Sequence, residues 1–122
     1  MFKKKNKYSA IKQTYNGRIY HSKKECEFAK KLDWRKRAGE IKEIIPQYKL
    51  ELKVNGIKIC NYYIDFKVVH SDNSVELIEV KGMRTSTFNL KWKLTNVLLQ
   101  EIEPNAKLTL VLWIKTKLLL TL

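Results

Sequence analysis

Apolar residues along this chain recur with two different periods, and the changes of period mark the elements. Gln13 to His21 alternates around Asn16-Gly17, the two-residue turn of a small hairpin. From Ser22 the spacing becomes helical. Cys26, Phe28, Ala29 and Leu32 form one stripe, and Ser22-Lys-Lys-Glu25 fits a capping box at its start. Ala38-Gly39 ends the helix behind Arg35, Lys36 and Arg37, cations that suit a helix C-terminus. Residues 40–54 alternate again, with a break at Pro46, and Asn55-Gly56 turns the chain into Ile57–Val69. A polar stretch, Ser71-Asp-Asn-Ser74, leads to Val75–Lys81, so residues 40–81 predict an antiparallel meander. Ser86 is expected to cap a second helix. Its apolar positions Phe88, Leu90, Trp92, Leu94, Val97, Leu98 and Ile102 are broad enough to pack on a sheet. Pro104 closes that helix. Lys107–Ile114 then reads as a buried strand, parallel to Val75–Lys81 through a crossover. The apolar tail, residues 115–122, suits either another strand or a contact with a second copy in a homodimer.

The pattern predicts an α/β fold: a mixed central sheet flanked by helices, with an N-terminal hairpin. At 122 residues it is one domain, residues 13–122, preceded by a basic arm over residues 1–12. The net charge is +13. The first 37 residues carry 13 basic and 3 acidic side chains, so most of the excess lies in the first third. Such a field attracts a polyanion, DNA or RNA before an anionic membrane. Lys3, Lys4, Lys5, Lys7 and Lys12 of the arm, with Lys23 and Lys24, are the candidate phosphate contacts; a solvated tail is the plainer reading of the arm. No segment approaches the ~20 apolar residues of a membrane span. The first residues lack the apolar core of a signal peptide. Cys26 and Cys60 have no metal-ligand spacing and are expected to be reduced, buried thiols, and the expected location is the cytoplasm.

Candidate chemistry concentrates in residues 61–82. Glu79 and Lys81 share one face of their strand, with Val75 and Leu77, while Glu76, Ile78 and Val80 take the other. Asp65 lies on the preceding strand among apolar neighbours. Its position relative to Glu79 depends on the turn. An odd loop, such as Ser71–Asn73, sets Asp65 opposite Glu79 on one face. A four-residue loop sets it opposite Val80, and the acids then part unless a bulge intervenes. Opposed like charges destabilise a strand pair, so placing them together implies a cation between them. We expect an odd loop or a bulge. Two carboxylates can hold a hard divalent cation, and a neighbouring lysine can hold a water or neutralise phosphate charge. An ordinary Glu79–Lys81 ion pair is the simpler alternative. Glu25 is open to two readings, as the acid of the capping box and as a third carboxylate facing the pair.

The ordered set Ser22-Lys-Lys-Glu25, Ile64-Asp65-Phe66, Ile78-Glu79-Val80-Lys81-Gly82, helix, strand resembles the PD-(D/E)xK nuclease superfamily. More closely, Tyr15-Asn-Gly17-Arg-Ile-Tyr20-His-Ser22-Lys-Lys-Glu25, Gly39-Glu40-Ile41, Pro46-Gln47, Tyr63-Ile-Asp65-Phe66 and the Glu79–Gly82 run resemble a family of small phage-encoded endonucleases, over roughly residues 8–112. The resemblance implies a restriction-endonuclease-like core (α-β-β-β-α-β) and Mg²⁺- or Mn²⁺-dependent hydrolysis of DNA, in phage DNA processing or in structure-specific cleavage of branched DNA, and in the host cytoplasm if the chain is phage-encoded. It implies Asp65, Glu79 and the Val80 backbone carbonyl as metal ligands, Lys81 at the water or scissile phosphate, and Glu25 in the site. Gln47 and Lys93 match helper positions. Asp65 follows Ile64 where the superfamily's name has proline. The competing expectation is a non-catalytic, basic nucleic-acid-binding or recombination accessory protein on the same fold.

Overall fold

The computed structural model describes residues 12–114 and 117–121, with side chains through residue 112. A two-stranded hairpin, β1 (Gln13–Tyr15) and β2 (Arg18–Tyr20), precedes helix α1 (Lys23–Arg37). The meander follows as β3 (Ile41–Val54), β4 (Ile57–His70) and β5 (Val75–Lys81). Helix α2 (Ser86–Ile102) then leads to β6 (Ala106–Ile114) and β7 (Lys117–Thr121). One sheet takes the order β3-β4-β5-β6-β7. All its neighbours are antiparallel except β5 and β6, the parallel pair joined by α2. The architecture is thus mixed α/β, and the tail supplies a closing strand.

The turns follow from residues that accept left-handed backbone. Asn16 and Gly17 (φ 52° and 77°) close the first hairpin, and Asn55 and Gly56 (52° and 78°) close the β3–β4 hairpin. The β4–β5 loop is Ser71–Asn73, with Asn73 left-handed at 71° and the His70 N–H bonded to the Ser74 carbonyl at 2.8 Å. It is therefore the odd loop. The resulting register pairs Phe66 with Ile78 and Val69 with Val75, so its continuation sets Asp65 opposite Glu79. Pro46 does not interrupt the strand. β3 runs through it, which an edge strand permits because the missing N–H can face outward.

Two apolar layers sandwich the sheet. On one face α1 supplies Cys26, Phe28, Ala29 and Leu32 against Ile41, Phe66, Val68, Ile78, Val80 and Val111. The other holds Leu50, Leu52, Tyr62, Ile64, Leu77 and Leu110 beneath Phe88 and Leu98 of α2. Strict alternation along β4 would put Tyr62, Ile64, Phe66 and Val68 on one face. Instead the first two pack under α2 and the last two under α1, so β4 changes face at Asp65. The register sets Gln47 of β3 opposite Asp65, and Gln47 has left-handed backbone (φ 52°). Both strands swivel at the same level, where the candidate site lies.

Helix α2 departs from expectation in two respects. Its N-cap is Thr85, whose hydroxyl accepts the Phe88 N–H at 3.0 Å, one residue before the expected Ser86. Leu90 and Val97 are 69% and 74% exposed, while Thr95 is buried and bonds back to the Lys91 carbonyl. The buried stripe is narrower than the apolar sequence pattern because a helix lying on a sheet covers only one side. Cys60 is half-buried, not buried, and both cysteines are free. Among the described residues no helix is long and apolar enough to cross a membrane.

Candidate active site

The N-terminus of α1, the middle of β4 and the end of β5 enclose a cleft of about 700 Å³. Glu25, Asp65, Glu79, Val80 and Lys81 all line it, so the structure brings together three stretches far apart in sequence. Each arrives for a local reason. Ser22 caps α1 by accepting the Glu25 N–H at 3.1 Å, which fixes Glu25 in the first turn. Asp65 sits at the swivel of β4, opposite Glu79 of β5. Lys81 is two residues beyond Glu79 on the same face; its Nζ stands 4.0 Å from Glu79 Oε1 and 4.8 Å from the centre of the Phe88 ring on α2. Gly82 leaves room for Lys24. A Cβ there would come 2.2 Å from the Lys24 Nζ, so this lysine crosses from α1 to the end of β5.

The carboxyls are crowded and poorly hydrated. Burial and the neighbouring Glu79 push Asp65 well above the usual carboxylate range, against the opposing pull of the Val80 N–H and Lys81. Glu79 is only 3% exposed and is raised by burial, although hydrogen bonds from Asp65 and Tyr62 and the charge of Lys81 hold it down. The pair as a whole therefore holds a proton more tightly than two free carboxyls would. Burial, then the charge of Asp65, pushes Glu25 up to about 7. The His21 imidazole, the Gln47 amide and the His21 backbone N–H lie beside Glu25 and favour its charge. Yet Glu25 Oε1 and Gln47 Nε2 are buried with no partner at hydrogen-bonding geometry.

Two further contacts define the donor set. The Val80 N–H donates to Asp65 Oδ2 at 2.8 Å. In an extended strand the N–H and C=O of one residue face the same edge, so the Val80 carbonyl also faces Asp65. The Tyr62 hydroxyl donates to Glu79 Oε2. Among the described residues no group of three or more His, Cys, Asp or Glu side chains is arranged as a metal centre. What the cleft offers is an oxygen set of two opposed carboxylates and a backbone carbonyl, with Glu25 Oε1 unsatisfied nearby. This set suits a hard cation that keeps several waters better than a softer metal.

The remaining sequence candidates divide. Lys23 and Lys24 line the cleft, and Gln47 adjoins Glu25. Lys93 is exposed on α2 and does not line the cleft, because its position turns away from the sheet. Lys12 is exposed, while Lys3, Lys4, Lys5 and Lys7 lie outside the described residues. Sequence reasoning missed Tyr62. On a regularly alternating β4 it would lie on the opposite face from Asp65 and Glu79, and only the swivel brings its hydroxyl to Glu79. Sequence reasoning also left out His21, which lines the cleft and lies beside Glu25 through both its imidazole and its backbone N–H, because a lone histidine ahead of a helix cap gives no spacing to read.

No curated protein and no solved structure matches this chain. One family model does, over residues 5–115, and its description is protein of unknown function (DUF1064). That match spans most of the chain, which therefore belongs to the DUF1064 family.

Proposed function

We propose that this protein is a metal-dependent endonuclease that hydrolyses DNA phosphodiesters in the cleft between α1 and β5. The observation that carries the reading is the opposition of half-buried Asp65 and buried Glu79 on neighbouring strands, an arrangement that raises both carboxyls. A divalent cation would relieve that repulsion. The order α1-β3-β4-β5-α2-β6 is the order that the resemblance to the PD-(D/E)xK superfamily implies, and we read the core as restriction-endonuclease-like on that ground.

Asp65, Glu79 and the Val80 carbonyl would hold Mg²⁺ or Mn²⁺. When bound, such an ion polarises a phosphate oxygen and acidifies water. The chain's own residues do the rest. Lys81, steadied over Phe88, holds an attacking water or the phosphate and neutralises charge as it develops on the phosphate oxygens. Tyr62 fixes the orientation of Glu79, as outer hydrogen bonds fix metal ligands. Glu25, with one oxygen unsatisfied, accepts a hydrogen bond from water entering the cleft. Lys23 and Lys24 receive the phosphate backbone, a contact that positions DNA without reading its sequence.

The test is cleavage of supercoiled plasmid with and without Mg²⁺ or Mn²⁺, by the wild type and by Lys81→Ala. Metal-dependent cutting that falls by at least about 100-fold in the variant supports the nuclease. Equal cutting by both proteins would refute it. Salt-sensitive binding with no cutting in any metal would instead favour the accessory protein.

A further inference from the structure

We propose that the cleft acts on DNA carrying unpaired nucleotides, and that Tyr63 stacks on an unpaired base beside the scissile phosphate. This inference names the substrate class of the site above and rests on that reading. The observation is an aromatic ring left in the open where the sheet is uncovered. Tyr62 and Ile64 are buried beneath α2, so Tyr63 between them faces the other side. On that side α1 packs on Phe66, Val68, Ile78 and Val80. No residue of the β4 segment before Asp65 belongs to that α1 layer, and Tyr63 is 57% exposed although it lines the cleft. Met83, at the opposite rim, is 59% exposed.

Tyr63 stands two residues, about 7 Å of strand, from Asp65. Its partner across the ladder is exposed Lys49 on β3, whose Nζ also lies 3.9 Å from Glu51 Oε1 in a solvent-facing ion pair. An exposed aromatic ring beside a cation on an open sheet face is a surface on which single-stranded nucleic acid stacks. Bases inside a duplex are already stacked and cannot use it. A splayed strand, flap or single-stranded region can, with Lys23 and Lys24 holding the phosphates on the α1 side. Charge complementarity favours a polyanion here: Lys23, Lys24 and Lys81 line the same cleft, on a chain whose net charge is +13.

Two measurements test the inference, and only one depends on catalysis. In EDTA, where no metal-dependent cutting occurs, anisotropy of a labelled oligonucleotide reports affinity for a single strand, a splayed duplex and a blunt duplex. Tyr63→Ala should weaken binding to the first two about tenfold more than to the blunt duplex, while Tyr63→Phe retains it. A 2-aminopurine base in the single strand should be quenched by wild type and Tyr63→Phe but not by Tyr63→Ala. With Mg²⁺, the wild type should cut the splayed substrate at least about tenfold faster than the blunt one. Equal losses for all three DNAs, or unchanged quenching in Tyr63→Ala, would overturn the stacking role. Equal cutting of splayed and blunt DNA would overturn the substrate class. Failure to cut any DNA would sink the nuclease reading alone, and the EDTA measurements would still decide the role of Tyr63.

Discussion

Glu25 shows how one residue can serve two ends that the sequence presents as alternatives. Its backbone N–H completes the Ser22 cap, and its carboxyl is delivered into the cleft, where Oε1 remains unsatisfied. The capping pattern was legible from Ser22 and Glu25 alone. The fate of the carboxyl was not, because it depends on Asp65 and Gln47 arriving from other strands. A pH signature follows. Burial first, then Asp65, raises Glu25 from 4.5 to about 7 in the folded protein. The native state thus binds more protons than the unfolded state between those values, and metal-free stability falls as pH rises through that window. At 1.36 kcal/mol per pH unit, the span amounts to about 3 kcal/mol at high pH. Glu25→Gln should therefore raise metal-free stability at about pH 8 by up to about 3 kcal/mol and leave it nearly unchanged below about pH 4.5. Urea melts of both proteins at the two pH values measure this, and a variant destabilised at pH 8 would contradict the burial argument. Tyr62→Phe probes the neighbouring contact. Loss of its hydrogen bond to Glu79 should weaken Mg²⁺ binding about 10- to 100-fold, read by calorimetry, with the fold intact.

At the scale of elements, period and turn chemistry carried most of the information. Asn16-Gly17 and Asn55-Gly56 announced their hairpins, and the need to oppose Asp65 and Glu79 selected the odd Ser71–Asn73 loop. The change of face in β4 was hidden. Tyr62, Ile64, Phe66 and Val68 alternate as a regular strand would, and the swivel lies across from left-handed Gln47 on a different strand. Gln47 is also a residue type that seldom adopts that conformation, so nothing in its identity announces it. Helix α2 illustrates the opposite error. Its many apolar residues suggested a wide buried face, but the sheet has room for a narrow one, and Leu90 and Val97 stay outside. Its start is decided by a single hydroxyl. Thr85 accepts the Phe88 N–H, whereas Ser86 is the first helical residue and exposed. Thr85→Ala should lower stability by about 1 kcal/mol and Ser86→Ala by only a few tenths. Thermal melts that ranked the two substitutions in the reverse order would return the cap to Ser86.

For the molecule as a whole, the arrangement places the least favourable electrostatics where three elements meet. The basic charge lies chiefly in the first third, yet the cleft that Lys23 and Lys24 flank is lined by Glu25, Asp65 and Glu79. A protein selected only for stability would not set half-buried Asp65 opposite buried Glu79 and beside buried Glu25, since each must give up hydration or hold a proton. The arrangement makes sense if a cation joins the folded state. Binding to the native state alone raises stability by about 2.7 kcal/mol when the free ion is 100 times its dissociation constant. For a domain of this size that corresponds to a rise in melting temperature on the order of 10 °C. The raised carboxyls add a direction. Protons on Asp65 and Glu25 must leave before the oxygens can hold an ion, so the Mg²⁺-induced shift should be large at about pH 8 and small at about pH 5.5. Asp65→Asn should abolish the shift at both pH values without lowering the metal-free melting temperature, because the repulsion with Glu79 is removed along with the ligand. Melting curves with and without Mg²⁺ at the two pH values provide the measurement. If Mg²⁺ shifted wild type and Asp65→Asn equally, the ion would be acting elsewhere on the surface. The opposed carboxylates would then be a structural pair sharing a proton.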